Sequence, residues 1–293
     1  MPGSAPGPVR PASGPGGLST GHIRPPRTQP KRIRALLTVY PEGSLVSLRG
    51  QRVTRADPLR PPSRRGRVGA FGGKSRLRLL RTLATIRRSA LPMLCTLTFP
   101  DEAIPETARE AKRRLATFRR RLLRAFPDLG AVWRLGVVDR KSGAFVGQAV
   151  PHIHFLAWGV SFVELVTRMP AMWASINLPT SHPAYAKHLA AGTGVERAET
   201  LKSGAAYMAK GYIARGDPEP GPQWMGRRWG TWNRPAIPWA DAVLREVAWK
   251  DFHAVRRLLA RGARRHLRGS FPWQGLSTFS GSPGAYARLG ASP

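Results

Sequence analysis

Residues 151–158, with the sequence PHIHFLAW, most constrain what this chain can fold into. An apolar run that begins at Pro151 and ends before Gly159 predicts a buried β-strand. Strand side chains alternate between the two faces of a sheet, so His152 and His154 share one face and the apolar side chains lie on the other. Two adjacent imidazoles pack poorly but can hold a divalent metal ion. A pair of hydrogen-bonded structural histidines is the alternative.

The charge balance indicates a polyanionic partner. The chain has 293 residues, with 48 Lys and Arg against 16 Asp and Glu, which gives a formal net charge of +32. Most of the positive charge is arginine, whose planar guanidinium binds phosphate with two hydrogen bonds. Such an excess favours nucleic acid as the partner over a membrane surface. A basic surface without a partner would not explain why acidic residues are so few.

Cysteine usage and hydropathy predict a cytoplasmic protein. The chain has one cysteine, Cys95, which excludes an intramolecular disulfide and lies in an apolar run typical of a core. No stretch approaches the ~20 apolar residues that a membrane span requires. The first residues lack the apolar segment of a secretory signal. We therefore expect no membrane partner.

The chain divides into three predicted regions. Residues 1–70 are predicted to be a basic, largely disordered tail with a short hairpin at 34–48. Residues 71–235 are predicted to hold a basic helix at about 74–88, followed by a strand, a helix, two strands and two helices, the first of these last two interrupted near Pro170. Residues 236–293 are predicted to be an Arg-rich helix and a disordered tail. The order predicts an α+β fold, a central antiparallel sheet with helices packed on one face and the other face free for a ligand.

The last predicted helix of the central region, at about 202–215, carries Tyr207 and Lys210. Residues three apart lie on the same helical face. Tyrosine is a slow nucleophile unless a metal-polarised electrophile and a cation lie beside it. The alternatives are an interfacial aromatic residue and a lysine whose charge reaches the solvent.

Two motifs resemble those of a known superfamily. Residues 151–155 (PHIHF) resemble the His-hydrophobic-His signature of HUH endonucleases, and residues 207–210 (YMAK) resemble their Tyr-x-x-Lys motif. More narrowly, the chain is similar to the rolling-circle replication-associated (Rep) proteins of filamentous phages and related bacterial plasmids and prophages. Further short stretches support the likeness, in the family's order, at 73–80, 95–100, 132–135, 188–196 and 226–230.

The resemblance implies a ferredoxin- or RRM-like sheet backed by helices and a DNA nickase that initiates rolling-circle replication. Tyr207 would attack a phosphodiester, form a 5′-phosphotyrosine link, release a 3′-hydroxyl and later rejoin the strand. His152 and His154 would hold Mg²⁺ or Mn²⁺, and Lys210 would orient the phosphate. The implied partners are single-stranded origin DNA and a bacterial host's helicase and polymerase, since the sequence has no Walker loop. No small-molecule substrate is expected.

The sequence departs from the family at the third ligand. The family usually has a Glu on the strand before the histidines, and here that place is Gly136. Hard divalent cations prefer oxygen ligands, so we expect Asp139 to be the third ligand, with Gln148 as the competing donor. A second tyrosine, Tyr212, lies five positions after Tyr207, about 140° around the helix, which predicts a single-tyrosine enzyme.

Basic and aromatic residues near the tyrosine helix are the predicted DNA contacts. Guanidinium groups hold phosphates, and aromatic rings stack on unpaired bases. The candidates are Lys210, Arg215, Arg227, Arg228 and Trp229. A tryptophan-rich core patch formed by Trp224, Trp229 and Trp232 is the alternative.

Three other functions remain open. An HUH transposase or mobilisation relaxase shares the chemistry and differs only in its DNA substrate. A nucleic-acid-binding protein that keeps the fold without activity is consistent with the missing Glu. A basic RNA-binding protein with incidental histidines would cleave no DNA.

Overall fold

The computed structural model describes residues 33–52, 73–139, 146–209, 226–266 and 278–280. Within these ranges the strands are β1 Ile33–Val39, β2 Leu45–Arg52, β3 Met93–Thr98, β4 Gly130–Asp139, β5 Ala149–Trp158, β6 Thr193–Arg197, β7 Trp229–Trp232, β8 Val243–Val247 and β9 Thr278–Ser280. The helices are α1 Gly73–Ala84, α2 Ala108–Ala125, α3 Phe162–Asn177, α4 Tyr185–Ala191, α5 Leu201–Ala209 and α6 Trp249–His266. The strands form two sheets.

The larger sheet has five strands in the order β6-β3-β5-β4-β7. Every neighbouring pair is antiparallel. The histidine strand β5 is the central strand, and its pairing with β4 runs from Gly130–Trp158 to Asp139–Ala149. The predicted α+β class with a central antiparallel sheet is therefore confirmed.

Helices cover both faces of this sheet. On one face Phe155 packs with Phe118 of α2 and Trp173 of α3 in the main core. On the histidine face Leu156 packs in a second core with Leu83 of α1 and Met208 of α5. The expectation of helices on one face only is wrong, because α1 and α5 also have apolar sides that need burial.

Helix α3 continues through Pro170, so the predicted interruption is also wrong. Its first turn is stabilised by a capping box in which the Ser161 and Glu164 side chains each accept from the other residue's backbone N–H. On either side of the proline, Met169 and Trp173 are buried in the main core. These contacts offset the backbone hydrogen bond that a proline cannot donate.

The smaller sheet joins segments from the two ends of the sequence. The predicted hairpin at 34–48 is confirmed as β1 and β2, and β1 also pairs with β8 in the order β8-β1-β2-β9. The Arg-rich helix predicted within residues 236–293 is α6, and the strand β8, which was not predicted, precedes it. Helix α6 packs Leu259 onto Leu37 and Leu48 of the hairpin. No helix in the described ranges is long and apolar enough to cross a membrane.

Candidate active site

His152 and His154 lie side by side on the central strand, as the alternation predicts. Their ring centroids are 4.4 Å apart. In the ladder, His154 lies opposite Thr96 of β3 and Arg134 of β4, and His152 lies opposite Gly136 of β4. Directly opposed residues share a sheet face. Thr98 of β3 also lies opposite His152, so the neighbours of the pair are two threonine hydroxyls, a guanidinium and a bare backbone.

Gly136 makes room for the His152 ring. A Cβ atom at position 136 would lie 2.5 Å from Cε1 and 2.6 Å from Nε2 of His152. The imidazole therefore lies across the backbone at position 136, where the HUH endonucleases that the two motifs resemble usually have a Glu. A side chain at position 136 and the His152 ring could not both occupy this space.

The histidines differ in their hydrogen bonds. The Oγ1 atom of Thr96 lies 3.0 Å from Nδ1 of His154 and shares a hydrogen bond with it. Such a contact fixes the orientation of the ring and leaves Nε2 available. The Nδ1 atom of His152 is buried and bonds to no other side chain among the described residues, and the nearby Val150 backbone slightly offsets the lowering of the pKa of His152. The pair thus offers nitrogen atoms for a ligand.

Tyr207 lies beside the histidines because α5 packs closely on β5. Gly204 permits this approach, since a Cβ atom there would lie 3.2 Å from Cδ2 of Leu156. Met208 is fully buried, and the preceding Tyr207 is 37% exposed. The ring centroids of Tyr207 and His154 are 4.8 Å apart at an interplanar angle of 90°. The tyrosine ring contacts His154 in a T-shaped arrangement, and the side chain remains accessible to a substrate.

Arg134 lies at the site but is not among the candidate residues predicted from the sequence. It is 4% exposed, and its Nη1 atom donates to the carbonyl oxygen of Met208 at 2.5 Å. The guanidinium therefore connects β4 to the residue that follows Tyr207. The sequence signal is a charged residue inside the otherwise apolar strand AVWRLGVV. Buried arginines are rare unless they have partners.

Both histidines are held neutral at pH 7. Burial, and then the charge of Arg134, lower the pKa of His152 to about 4. Burial, then His152 and Arg134, lower the pKa of His154 to about 3. An uncharged imidazole is the form that coordinates metal. The same Arg134 charge also opposes a cation at the pair.

We expect this pair to make folding sensitive to mild acid. Both folded-state pKa values lie below the unfolded value of about 6.5, so the unfolded chain takes up protons first. The contribution of the neutral histidines to the free energy of unfolding is complete above pH ~6.5 and decreases as the pH falls toward the folded-state pKa values. At pH 5 the decrease is about 2 kcal/mol per histidine. Urea unfolding at pH 7 and pH 5 measures it. In the variant with His152→Gln and His154→Gln the loss between these pH values should be smaller; an equal loss would contradict this origin.

The register of β4 does not bring position 139, where the expected third ligand Asp139 lies, to the sheet face of the pair. Asp139 pairs with Ala149, three positions from the Gly136–His152 pair. An odd separation assigns position 139 to the other sheet face. Gln148 is exposed and precedes β5. Among the described residues no group of three His, Cys, Asp or Glu side chains is arranged to hold a metal ion.

The predicted DNA contacts divide into three groups. Lys210 and Arg215 lie outside the described residues, as does Tyr212. Arg228 is 2% exposed, so it is not a surface contact in this structure. Trp232 is a core residue, which agrees with the alternative of a tryptophan-rich core patch. Arg227 is exposed. Trp229 is half-buried on β7 and lies opposite Arg134, which makes a row from His154 through Arg134 to Trp229 across three strands.

The site therefore brings together His152, His154, Tyr207 and Arg134 from three elements of the chain. No family model, curated protein or solved structure matches the sequence or the structure. The chemistry of the site is therefore inferred from this geometry and from the resemblance of two motifs in the chain to those of HUH endonucleases.

Proposed function

We propose that the protein is a metal-dependent, single-tyrosine DNA nickase and strand transferase that initiates rolling-circle replication. The observation that carries this proposal is the contact between the Tyr207 and His154 rings, at 4.8 Å, beside His152. These residues lie far apart in the sequence. A nucleophile and two neutral nitrogen ligands on one sheet face form the constellation that tyrosine attack on a phosphodiester needs.

The residues at the site fit a divalent cation in part. His152 and His154 would hold Mg²⁺ or Mn²⁺, and a bound ion would polarise the scissile phosphate. Thr96 orients the His154 ring, and Gly136 leaves space for the His152 ring. Since the described residues offer no carboxylate beside the pair, phosphate oxygens and water would complete the coordination. We therefore expect the protein to bind metal more tightly when DNA is present.

The proposed transfer conserves the number of phosphodiester bonds. The Tyr207 oxygen attacks the phosphorus atom and gives up its proton to solvent, to which the side chain is open. The bond from phosphorus to the 3′-oxygen breaks, and that oxygen leaves with the electron pair and takes up a proton. A 5′-phosphotyrosine and a 3′-hydroxyl result. Rejoining is the reverse attack by a 3′-hydroxyl, and Lys210 is predicted to balance the phosphate charge.

The proposal predicts a metal-dependent covalent complex. Full-length protein would be incubated with Mn²⁺ and a pool of single-stranded oligonucleotides, then run on a denaturing gel. We expect a shifted protein–DNA band that disappears when Mn²⁺ is chelated or when His152 and His154 are both changed to alanine. The control variant His253→Ala, in which an exposed histidine of α6 is changed, should retain the band.

Absence of the band on every substrate, with DNA binding intact, would favour the second candidate function. This is a non-catalytic nucleic-acid-binding protein, and it is supported by the finding that no described carboxylate forms a metal-binding group with the histidines. A transposase or relaxase would also give the band and would differ only in the DNA sequence that it cleaves.

Arg134 is expected to weaken metal binding while it supports the tyrosine helix. Replacing it with Gln removes a buried positive charge next to both histidines and the donor to the Met208 carbonyl. We expect Mn²⁺ to bind about tenfold more tightly and covalent capture to fall. Calorimetric titration with Mn²⁺ and the capture assay measure the two effects. Unchanged metal affinity would show that the Arg134 charge does not act on the pair.

A further inference from the structure

A second polar cavity lies outside the histidine site, between the smaller sheet and the β7 edge of the larger one. Its volume is about 380 Å³, within the range of ligand pockets. Residues of β2, α1, β7 and the segments next to them line it, and we call it the inter-sheet groove. None of its lining residues is His152, His154, Arg134 or Tyr207. The groove is therefore separate from the proposed chemistry.

The inter-sheet groove has a strong excess of positive charge. Arg49, Arg81, Arg227 and Arg234 line it, and its described lining includes no Asp or Glu. Burial and the charge of Arg49 lower the pKa of Arg81, which indicates that the two guanidiniums repel each other. The nearby carboxylates Glu42 and Asp241 instead contact Arg87, outside the groove. Four like charges around one cavity favour an anion with several charged groups.

Flat side chains line the same walls. The Arg234 guanidinium lies over the Trp239 ring, 5.4 Å from its centroid, and Trp239 Nε1 donates to the Arg234 carbonyl at 2.8 Å. Trp229 Nε1 donates to Ser75 Oγ at 3.0 Å, which fixes the second indole. Tyr40 is a third aromatic residue in the lining. A groove lined by both guanidinium groups and aromatic rings matches a chain that carries both phosphates and unpaired bases.

We infer that the inter-sheet groove binds a single nucleic-acid strand, with phosphates on the arginines and unpaired bases against the aromatic rings. This site is additional to the nickase centre and does not depend on cleavage. Trp229 is opposite Arg134 and Arg134 is opposite His154, so the groove begins two strands, or ~10 Å, from the histidines. The strand in the groove would be held close to the site where a strand is cut.

The test compares two pairs of charge removals in the full chain carrying Tyr207→Phe, with a chelator present so that no cleavage occurs. Binding of a labelled 12-nucleotide oligothymidylate is followed by fluorescence anisotropy at several salt concentrations. Arg49→Gln with Arg227→Gln should weaken binding at least tenfold and reduce the slope of log K against log salt by about 1.4, which is ~0.7 per phosphate contact. Both residues are exposed. Circular dichroism would confirm that the variants fold.

The control removes the same charge from the solvent face of α2, with Arg119→Gln and Arg124→Gln, two exposed residues. We expect these changes to leave affinity and slope close to those of the parent. Equal losses in the two pairs would overturn the proposal, because they would show diffuse attraction to a basic surface. Failure here would leave the capture assay unaffected, so the two proposals fail separately.

The chemistry of the strand is tested with other probes. An abasic 12-mer keeps the phosphates and lacks the bases, so it should bind at least fivefold more weakly than oligothymidylate. Equal affinity would overturn the stacking contacts, and tighter binding of a 12-base-pair duplex would overturn the single-strand assignment. Oligouridylate, an RNA strand, tests whether the groove distinguishes DNA from RNA. Weaker binding of oligouridylate than of oligothymidylate supports DNA as the occupant, and equal binding supports a groove that accepts both.

Discussion

Changing Tyr207 to phenylalanine is expected to reduce covalent capture of DNA at least ~10³-fold. Phenylalanine keeps the ring and its edge-on contact with His154, whose centroid is 4.8 Å away, and removes only the oxygen. The side chain is 37% exposed, so we expect the free energy of unfolding to change by less than ~0.5 kcal/mol. Such a loss without unfolding would identify the nucleophile. Single-turnover capture and urea unfolding measure the two quantities.

The matched control for this variant is Tyr185→Phe at the start of α4, which should retain capture. Mn²⁺ binding by Tyr207→Phe should also be unchanged, since the histidine ligands remain. If Tyr207→Phe retained capture and Tyr212→Phe lost it, the nucleophile would be Tyr212. That result would overturn the assignment made from the ring contact.

Gly136→Ala is expected to lower capture about 10²-fold, because it would displace a histidine ring. The new Cβ atom would lie 2.5 Å from Cε1 of His152, which is closer than real Cβ contacts allow. The ring must therefore rotate away and lose its place beside His154. Mn²⁺ affinity should fall with capture, and calorimetric titration beside the capture assay measures both.

The control is Gly194→Ala on the edge strand β6, where a Cβ atom would make an ordinary contact of 3.9 Å with Thr96. It should behave like the parent. Gly136→Glu introduces the residue that HUH endonucleases usually have at the corresponding place, and we expect it to lose activity for the same steric reason. A gain of activity in Gly136→Glu would show that the His152 ring does not need this space.

The central strand and its chemistry could be predicted because the signal is local. Alternation in residues 151–158 assigns both histidines to one face, and their rings are 4.4 Å apart. The apolar spacing in α2 likewise predicts which of its residues are buried, as Leu115, Phe118 and Leu122 are. Periodicity is therefore enough for the strand, for this helix and for the α+β class.

Features that depend on distant partners could not be predicted. The hairpin of β1 and β2 pairs with β8, some two hundred positions away, and no local pattern encodes that pairing. Arg134 is visible in the sequence as a charged residue in an apolar strand, but its role depends on its partner, the Met208 carbonyl, which only the structure shows. The place of the His152 ring likewise depends on Gly136 in the neighbouring strand, so the absent Glu could not be interpreted from one strand alone.

The most direct measurement locates the DNA linkage by mass spectrometry. The covalent complex would be treated with nuclease to leave a single nucleotide and then digested with trypsin. Cleavage after Lys202, Lys210 and Arg215 separates residues 203–210, which contain Tyr207, from residues 211–215, which contain Tyr212. We expect the nucleotide 5′-phosphate on the 203–210 peptide, with fragment ions that assign it to Tyr207 rather than Ser203. A nucleotide on any other peptide, or a linkage through its 3′-phosphate, would contradict the proposed mechanism.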